Sequence, residues 1–112
     1  MWHQGNKFVH RFDANTFLRI IYAWRSVDLV KEAGVSGFRE LFAASRRHQY
    51  LVFTIDSDVC FYPEEQDELL NYLESAGVSS EHVVVHSDKG HDSFLVEPDL
   101  YAKHLAAALR GD

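Results

Sequence analysis

The sequence predicts an α/β fold in which two parallel strands lie side by side with helices packed against them. Two short runs, residues 49–55 ("QYLVFTI") and residues 82–86 ("HVVVH"), are rich in branched and aromatic residues. Runs of this kind are typical of strands that are buried on both faces of a parallel sheet. A helical stretch separates the two runs, and the order strand, helix, strand favours parallel pairing with a right-handed crossover.

Two helices are predicted before the first strand. The first spans about residues 14–32, where Asp13 or Asn15 can cap the amino end and Gly34 lies just beyond the carboxyl end. Apolar residues at helical spacing give this helix a single stripe, made of Phe17, Ile20, Ile21, Trp24 and Val27. The second helix spans about residues 36–47 and ends in the basic "RRH", whose positive charges suit a helix C-terminus.

Two more helices follow the strands. Pro63 opens "PEEQDELLNYLESAG" with proline in the first turn, acidic residues after it and Gly77 at the end. Pro98 begins the last helix, whose predicted inward residues are Tyr101, Leu105, Ala108 and Leu109. Two strands alone do not make a viable parallel sheet, because both faces and both edges need cover. We therefore interpret the 112-residue chain as the end of a larger α/β domain, with helices in 1–47 and a strand–helix–strand–helix unit in 48–112.

Composition excludes several classes of protein. The net charge of −6 disfavours nucleic acid and anionic membranes as main partners, since both attract basic surfaces. No apolar run approaches the roughly 18 residues of a membrane span. The single cysteine, Cys60, excludes an internal disulfide and a cysteine-rich zinc site, so a reducing, cytoplasmic location is predicted.

Polar residues with catalytic potential follow both strands. "DSD" at 56–58 follows the first strand and "SDKGHD" at 87–92 follows the second, and the carboxyl ends of adjacent parallel strands meet at one edge of a sheet. Asp58 and His91 are therefore predicted to form a hydrogen bond, which leaves the other imidazole nitrogen as a general base. The order acid then histidine is the remainder of the nucleophile, acid, histidine order of α/β-hydrolases.

A simpler interpretation of the same residues is open. Aspartate at a strand-to-helix turn often only caps the helix, and histidine beside glycine often only fills a turn. The pattern by itself does not distinguish Asp56 from Asp58 as the acid.

Three separated segments carry a resemblance: "QGNKFVHRFDANTFL" at residues 4–18, "IDSDVCFYPEEQ" at 55–66 and "SDKGHDSFLVEP" at 87–98. In this order they resemble segments of the homoserine O-acetyltransferases, the α/β-hydrolase-fold acyltransferases of methionine biosynthesis. The first is similar to the family segment that begins a helix of the lid, and the other two resemble the family's C-terminal acid and histidine loops. The resemblance spans nearly the whole chain. It implies the C-terminal part of an α/β-hydrolase fold: two parallel strands with flanking helices, preceded by part of the helical lid.

The same resemblance implies a role for individual residues. Asp58 matches the family's triad acid, His91 matches its base, and Asp92 matches an acid expected to bind the ammonium group of the substrate. For Asp92 the alternative is an aspartate that braces the loop. The implied reaction transfers an acetyl group from acetyl-CoA to the hydroxyl of homoserine through a serine, without a further cofactor or metal.

The nucleophile expected for this reaction is absent from the chain. No "GxSxG" occurs, and Ser36 in "GVSG" is interpreted as a helix cap because the string lies between helices. The serine is therefore expected in an upstream half of the same protein, and the 112-residue chain is expected to be inactive alone. The family is also expected to form a homodimer near its lid.

Several alternatives remain at this stage. Val59, Cys60, Phe61 and Tyr62 depart from the family pattern after the acid, and Phe17 replaces its usual tyrosine, which leaves the acyl donor and the acceptor open. An esterase, an acyltransferase for serine or another alcohol, and a non-catalytic fragment or interaction module all compete. Less favoured are Cys60 as a nucleophile, and a metal site built from His86, Asp88 and His91, for which no fourth ligand is in view.

Overall fold

The computed structural model describes residues 2–111. Residue 1 of the predicted region 1–47 and residue 112 of the predicted region 48–112 therefore lie outside the described residues. Its elements in chain order are α1 (Trp2–Arg11), α2 (Ala14–Arg25), α3 (Leu29–Ala33), α4 (Phe38–Ala43), β1 (Gln49–Ile55), α5 (Pro63–Ser75), β2 (Ser79–Val85), α6 (Ser93–Val96) and α7 (Asp99–Arg110). A single 3-10 turn, Gly90–Asp92, precedes α6. Within residues 2–111, no helix has the length and apolar character that a membrane span requires.

Strands β1 and β2 pair in parallel, which confirms the predicted strand–helix–strand unit. Gln49 lies opposite Ser79 at one end, and Ile55 lies opposite Val85 at the other. Strand β2 begins three residues before the predicted run, because the backbone of polar residues 79–81 pairs with β1 although their side chains are exposed. Both strands end at the same level, so the loops that follow them start at one edge of the sheet.

Strand β1 is covered on both faces. Val52 packs with Leu73 of α5 and with Ala76, the residue just after that helix, and both of these residues are fully buried. On the other face, the ring of Phe53 meets Tyr101 of α7 edge-on, with 5.0 Å between ring centroids. This two-sided burial explains why the sequence of β1 is nearly continuously apolar.

Helix α7 is less buried than predicted. Tyr101 is buried, whereas Leu105, Ala108 and Leu109 are exposed. These three residues line an open groove of about 390 Å³ beside the amino ends of β1 and β2. The prediction of an inward face was wrong for the carboxyl half of α7, because this groove lies between those residues and the two strands.

The predicted first helix is two helices. Asp13 accepts a hydrogen bond from the Thr16 N–H at 2.9 Å and so caps α2, but α2 ends at Arg25. Asp28 then caps α3 by accepting from the Lys31 N–H at 3.0 Å. The apolar periodicity predicts one continuous helix, but the second cap, at Asp28, starts a new helix within it. Gly34 ends α3 in the left-handed conformation, as predicted.

The region before β1 buries little. Helix α1 was not predicted as a separate helix, and α4 ends at Ala43, four residues before the predicted boundary. Of the basic residues beyond α4, Arg46 does not bond to the end of that helix: its Nε donates to the carbonyl oxygen of Ala76 at 2.7 Å. None of α1–α4 contains a buried residue, so the predicted apolar stripe remains largely exposed in this chain.

Candidate active site

The candidate site lies where the two parallel strands end. Asp56, Ser57 and Asp58 follow β1 directly, and His86 follows β2. The chain then turns through Lys89 and the 3-10 turn, which carries His91 in its centre. Both loops therefore start from one edge of the sheet, which places residues about 30 positions apart in the sequence within contact distance.

Asp58 and His91 are in direct contact. The His91 Nδ1 lies 2.9 Å from the Asp58 Oδ2. The other carboxylate oxygen, Oδ1, accepts from the N–H of Cys60 at 2.7 Å and from the N–H of Phe61 at 3.1 Å. With only 5% of Asp58 exposed, the carboxylate is held by three donors in a buried setting. This arrangement favours the tautomer in which Nδ1 carries the proton and Nε2 accepts one.

The environment of Asp58 keeps its carboxyl group ionised. Burial alone would raise the pKa of Asp58, but the hydrogen bonds from His91, Phe61 and Cys60 and the positive charge of a protonated His91 lower it below its usual value. A carboxylate that stays charged stabilises the imidazolium that forms when His91 accepts a proton. The pair therefore has the electrostatic character of an acid–base dyad.

His91 faces a cleft of about 520 Å³. Asp58 and His91 line it together with mostly apolar residues: Phe53, Ile55, Phe61, Gln66, Phe94, Pro98, Tyr101, Ala102 and Leu105. The imidazole of His91 stands 5.0 Å from the ring of Phe61 and 5.5 Å from that of Phe94, centroid to centroid. Its side chain is 40% exposed, so the cleft supplies an apolar wall while the imidazole stays accessible.

Asp56 pairs with a different histidine. The His86 Nδ1 lies 2.8 Å from the Asp56 Oδ2, and the Ser87 N–H donates to the Asp56 Oδ1 at 3.1 Å. The hydrogen bond with His86 is the main cause that lowers the pKa of Asp56. Sequence pattern could not separate the two aspartates, because both follow β1 within three residues. In the structure the two differ in partner and in burial: Asp58 is buried and pairs with His91, whereas Asp56 is exposed and pairs with His86.

Asp92 stands next to His91 but outside the pair. It is exposed, and it occupies the N-cap position of α6 without a side-chain capping bond. Among residues 2–111 it has no hydrogen-bond or ion-pair partner, and it is not among the residues that line the cleft. Within the described part of the chain, Asp92 therefore makes no side-chain bond that would brace the loop.

The residues of the less favoured alternatives have other partners. Ser36 donates its N–H and its hydroxyl to the Glu40 carboxylate, at 2.9 and 2.7 Å. The N-cap of α4 is Gly37, so the prediction that Ser36 caps this helix was wrong. Asp88 pairs with Lys89 at 2.6 Å, and His86 with Asp56. Within the described residues, no group of three or more potential metal ligands is assembled.

Sequence reasoning did not single out Ser57, nor the aromatic rings beside His91. Ser57 joins the two loops through its side chain, as described below. The position of Ser57 between two aspartates after a strand does not by itself indicate a role. Its bonds become apparent only when the loop after β2 is known to lie beside the loop after β1. The rings of Phe61 and Phe94 have no sequence signal that separates them from ordinary packing residues.

The fold and the site define a mixed α/β unit that carries a carboxylate–imidazole pair at the ends of two parallel strands. No protein-family model matches the chain, and no solved structure matches it. Curated relatives do. Over 103 residues it is 41% identical to the homoserine O-acetyltransferase of Mesorhizobium japonicum, covering 89% of this chain and 25% of the relative. Over 109 residues it is 35% identical to the homoserine O-acetyltransferase of Desulfotalea psychrophila, covering 97% of this chain and 28% of the relative.

A third relative differs in its acyl group. The homoserine O-succinyltransferase of Neisseria meningitidis serogroup B is 37% identical over 105 residues, covering 94% of this chain and 27% of the relative. Over nearly its whole length the chain is similar to proteins named homoserine O-acetyltransferase and homoserine O-succinyltransferase, which confirms the resemblance seen in its sequence. It spans about a quarter of the length of the curated relatives that it matches.

Proposed function

We propose that this chain is the C-terminal portion of an α/β-hydrolase-fold acyltransferase that moves an acetyl group from acetyl-CoA to the hydroxyl of L-homoserine, a step of methionine biosynthesis. The observation that carries the proposal is the contact between the buried Asp58 carboxylate and the His91 Nδ1 at the edge of an apolar cleft. The relatives named as homoserine O-acyltransferases supply the substrate class.

In the proposed mechanism, His91 moves the proton and Asp58 orients it. The Nε2 of His91 takes the proton of a serine hydroxyl as that oxygen attacks the thioester carbon, and the CoA thiolate leaves with the proton from His91. His91 then takes the proton of the homoserine hydroxyl, whose oxygen attacks the acyl-serine ester. The serine oxygen leaves and recovers the proton. Asp58 stays ionised throughout and stabilises the imidazolium.

The nucleophilic serine and the groups that bind the tetrahedral intermediate belong, in this proposal, to an upstream half of the same protein. The chain alone is accordingly proposed to be inactive. Its length, about a quarter of that of its relatives, supports this view. So do the exposed apolar residues of α1–α4, which we propose belong to the lid and to a homodimer contact in a cytoplasmic enzyme.

Asp92 is proposed to bind the ammonium group of homoserine. An exposed carboxylate next to the base, without a protein partner among the described residues, suits a cationic ligand. This role distinguishes an amino-acid acyltransferase from an esterase. Acetyl is proposed as the acyl group over succinyl because two of the three relatives described above, including the one with the highest identity, are acetyltransferases.

A chimera tests the proposal. The matching quarter of the Mesorhizobium japonicum relative is replaced by this chain, and release of CoA from acetyl-CoA is measured with and without L-homoserine. We expect homoserine-dependent release, which His91→Ala should lower about 10⁴-fold or more. A folded chimera without homoserine-dependent release contradicts the proposal. Succinyl-CoA and L-serine, assayed in parallel, identify the donor and the acceptor.

Asp92→Ala in the same chimera separates the acyltransferase from an esterase. We expect the KM for homoserine to rise about 10-fold or more, while hydrolysis of a simple acetyl ester stays within about twofold, because only homoserine carries an ammonium group. Equal losses on both substrates would place Asp92 in loop support rather than in substrate binding. Asp88→Ala, which removes a neighbouring exposed carboxylate, is the matched control.

A further inference from the structure

A serine side chain joins the two loops of the candidate site. The Ser57 hydroxyl donates to the carbonyl oxygen of Ser87 at 2.5 Å and accepts from the N–H of Gly90 at 3.0 Å. The bridged positions lie 30 and 33 residues beyond Ser57, so these bonds are tertiary contacts and not part of a local turn. Both bonds reach the backbone of the segment that leads into His91.

The bridged segment needs such a support because its own backbone is irregular. Gly90 has a φ of +60°, which an L side chain rarely adopts, and a Cβ placed there would stand 3.4 Å from the Ser57 carbonyl oxygen. Ser87 fixes the other end of the segment. Its hydroxyl accepts from the Lys89 N–H at 3.0 Å and donates to the Glu97 carboxylate at 2.5 Å, just before α7.

We infer that Ser57 is a positioning residue of this site: through Gly90 it sets the position of His91 against Asp58. Asp58 is the next residue after Ser57, and His91 is the next residue after Gly90. A single hydroxyl therefore ties together the two chain segments from which the acid and the base project. An effect of Ser57 on catalysis rests on the proposed function, whereas the hydrogen bonds of Ser57 to Ser87 and Gly90 do not depend on it.

Loss of the hydroxyl is expected to move His91 rather than to unfold the chain. Ser57 is exposed, and neither of its bonds belongs to the buried clusters around Leu73 or Tyr101. An exposed hydrogen bond contributes little to global stability because water replaces it. A displacement of a catalytic group by about 1 Å, however, costs about 100-fold in rate.

Kinetics of the chimera described above provide the first test. We expect Ser57→Ala to lower kcat about 10- to 100-fold with the KM for homoserine changed less than about twofold. Ser57→Thr, which keeps the hydroxyl, should restore kcat to within about threefold of the parent. Ser80→Ala, the same change at an exposed position near the start of β2, is the matched control and should leave kcat unchanged.

Proton NMR of the full 112-residue chain, labelled with ¹⁵N histidine, provides a second test that needs no activity. An imidazole N–H that donates to a carboxylate gives a low-field resonance, which His91→Gln and His86→Gln assign. We expect Ser57→Ala to weaken the His91 resonance at least about fivefold, while Ser57→Thr and Ser80→Ala preserve it.

The two tests distinguish the failure of this inference from that of the proposed function. An active parent chimera with full kcat in Ser57→Ala, or an unchanged His91 resonance in that variant, overturns the positioning role and leaves the acyltransferase proposal intact. An inactive parent chimera counts against the acyltransferase proposal. The His91 resonance then tests the positioning role of Ser57 by itself. A loss that Ser57→Thr does not restore would also contradict the inference.

Discussion

Two aspartate–histidine pairs stand side by side at the carboxyl ends of β1 and β2, and they differ in surroundings rather than in distance. The separation of the paired atoms is 2.9 Å for Asp58–His91 and 2.8 Å for Asp56–His86. The side-chain exposures, aspartate first, are 5% and 40% for the former and 45% and 83% for the latter. Contact distance alone therefore does not identify a catalytic pair.

The difference follows from what else each carboxylate touches. Asp58 is buried and receives two backbone N–H groups in addition to His91, so its position and its charge are both held. Asp56 is half exposed, and water screens its attraction to His86. Asp58 and His91 both line the apolar cleft of about 520 Å³, whereas His86 lines a separate, smaller pocket of about 290 Å³ that Asp56 does not line. Burial and an adjacent cleft indicate where a reacting group can be held.

The largest expected effect is the loss of the base. In the chimera, His91→Ala should lower kcat about 10⁴-fold or more, because the other histidine on this edge of the sheet, His86, does not line the cleft that His91 faces. His86→Ala should lower it less than about fivefold, since His86 contacts solvent and Asp56. Steady-state kinetics measure both. Comparable losses in the two variants would end the distinction between the pairs.

The next effect is that of the acid. Asp58→Asn should lower kcat about 10³- to 10⁴-fold, because the amide favours the wrong imidazole tautomer and removes the charge that stabilises the imidazolium. Asp56→Asn, the matched change two residues earlier, should cost less than about fivefold. Steady-state kinetics of the two variants provide the measurement. If Asp56→Asn proved the more damaging, the acid would have to be reassigned.

A smaller effect is expected on stability at Gly90. Gly90→Ala should lower the free energy of unfolding by about 1–2 kcal/mol, because φ at this position is +60°. Gly5→Ala lies inside α1 with nothing near its Cβ position, so it should be neutral or stabilising. Urea unfolding of the chimera measures the difference. An unchanged midpoint for Gly90→Ala would show that the loop relaxes at little cost.

The smallest expected effect is on how the stability of the fold changes at low pH. The pKa values of Asp58 and Asp56 are both lowered in the folded chain. Each therefore stabilises the fold above the ordinary aspartate pKa of about 3.9, and this contribution is lost as the pH falls through the lowered value. Asp58→Asn should make the thermal midpoint less sensitive to pH between about 5 and 3. A parallel shift without a change in slope would contradict this.

The parallel unit was predictable because its signals are local. Residues 49–55 are nearly continuously apolar, Pro63 marks a helix start, and Gly77 marks its end; β1 and α5 lie where these signals place them. The helix before Gly34 was predicted as continuous and is broken at Asp28, because an internal cap competes with periodicity. The exposure of Leu105 and Leu109 was not predictable, since it depends on what lies beneath α7.

The amino-acid sequence was sufficient for the class of fold, the loops that carry the polar residues and the family, because turn chemistry, apolar periodicity and motif spacing are properties of neighbouring residues. The contact of Asp58 with His91 was predicted from the two loops, and the folded chain confirms it. The pairing of Asp56 with His86 and the bridge from Ser57 to Gly90 required the folded chain. These contacts join residues about 30 positions apart, and their geometry depends on strand register and loop conformation, which no local pattern encodes.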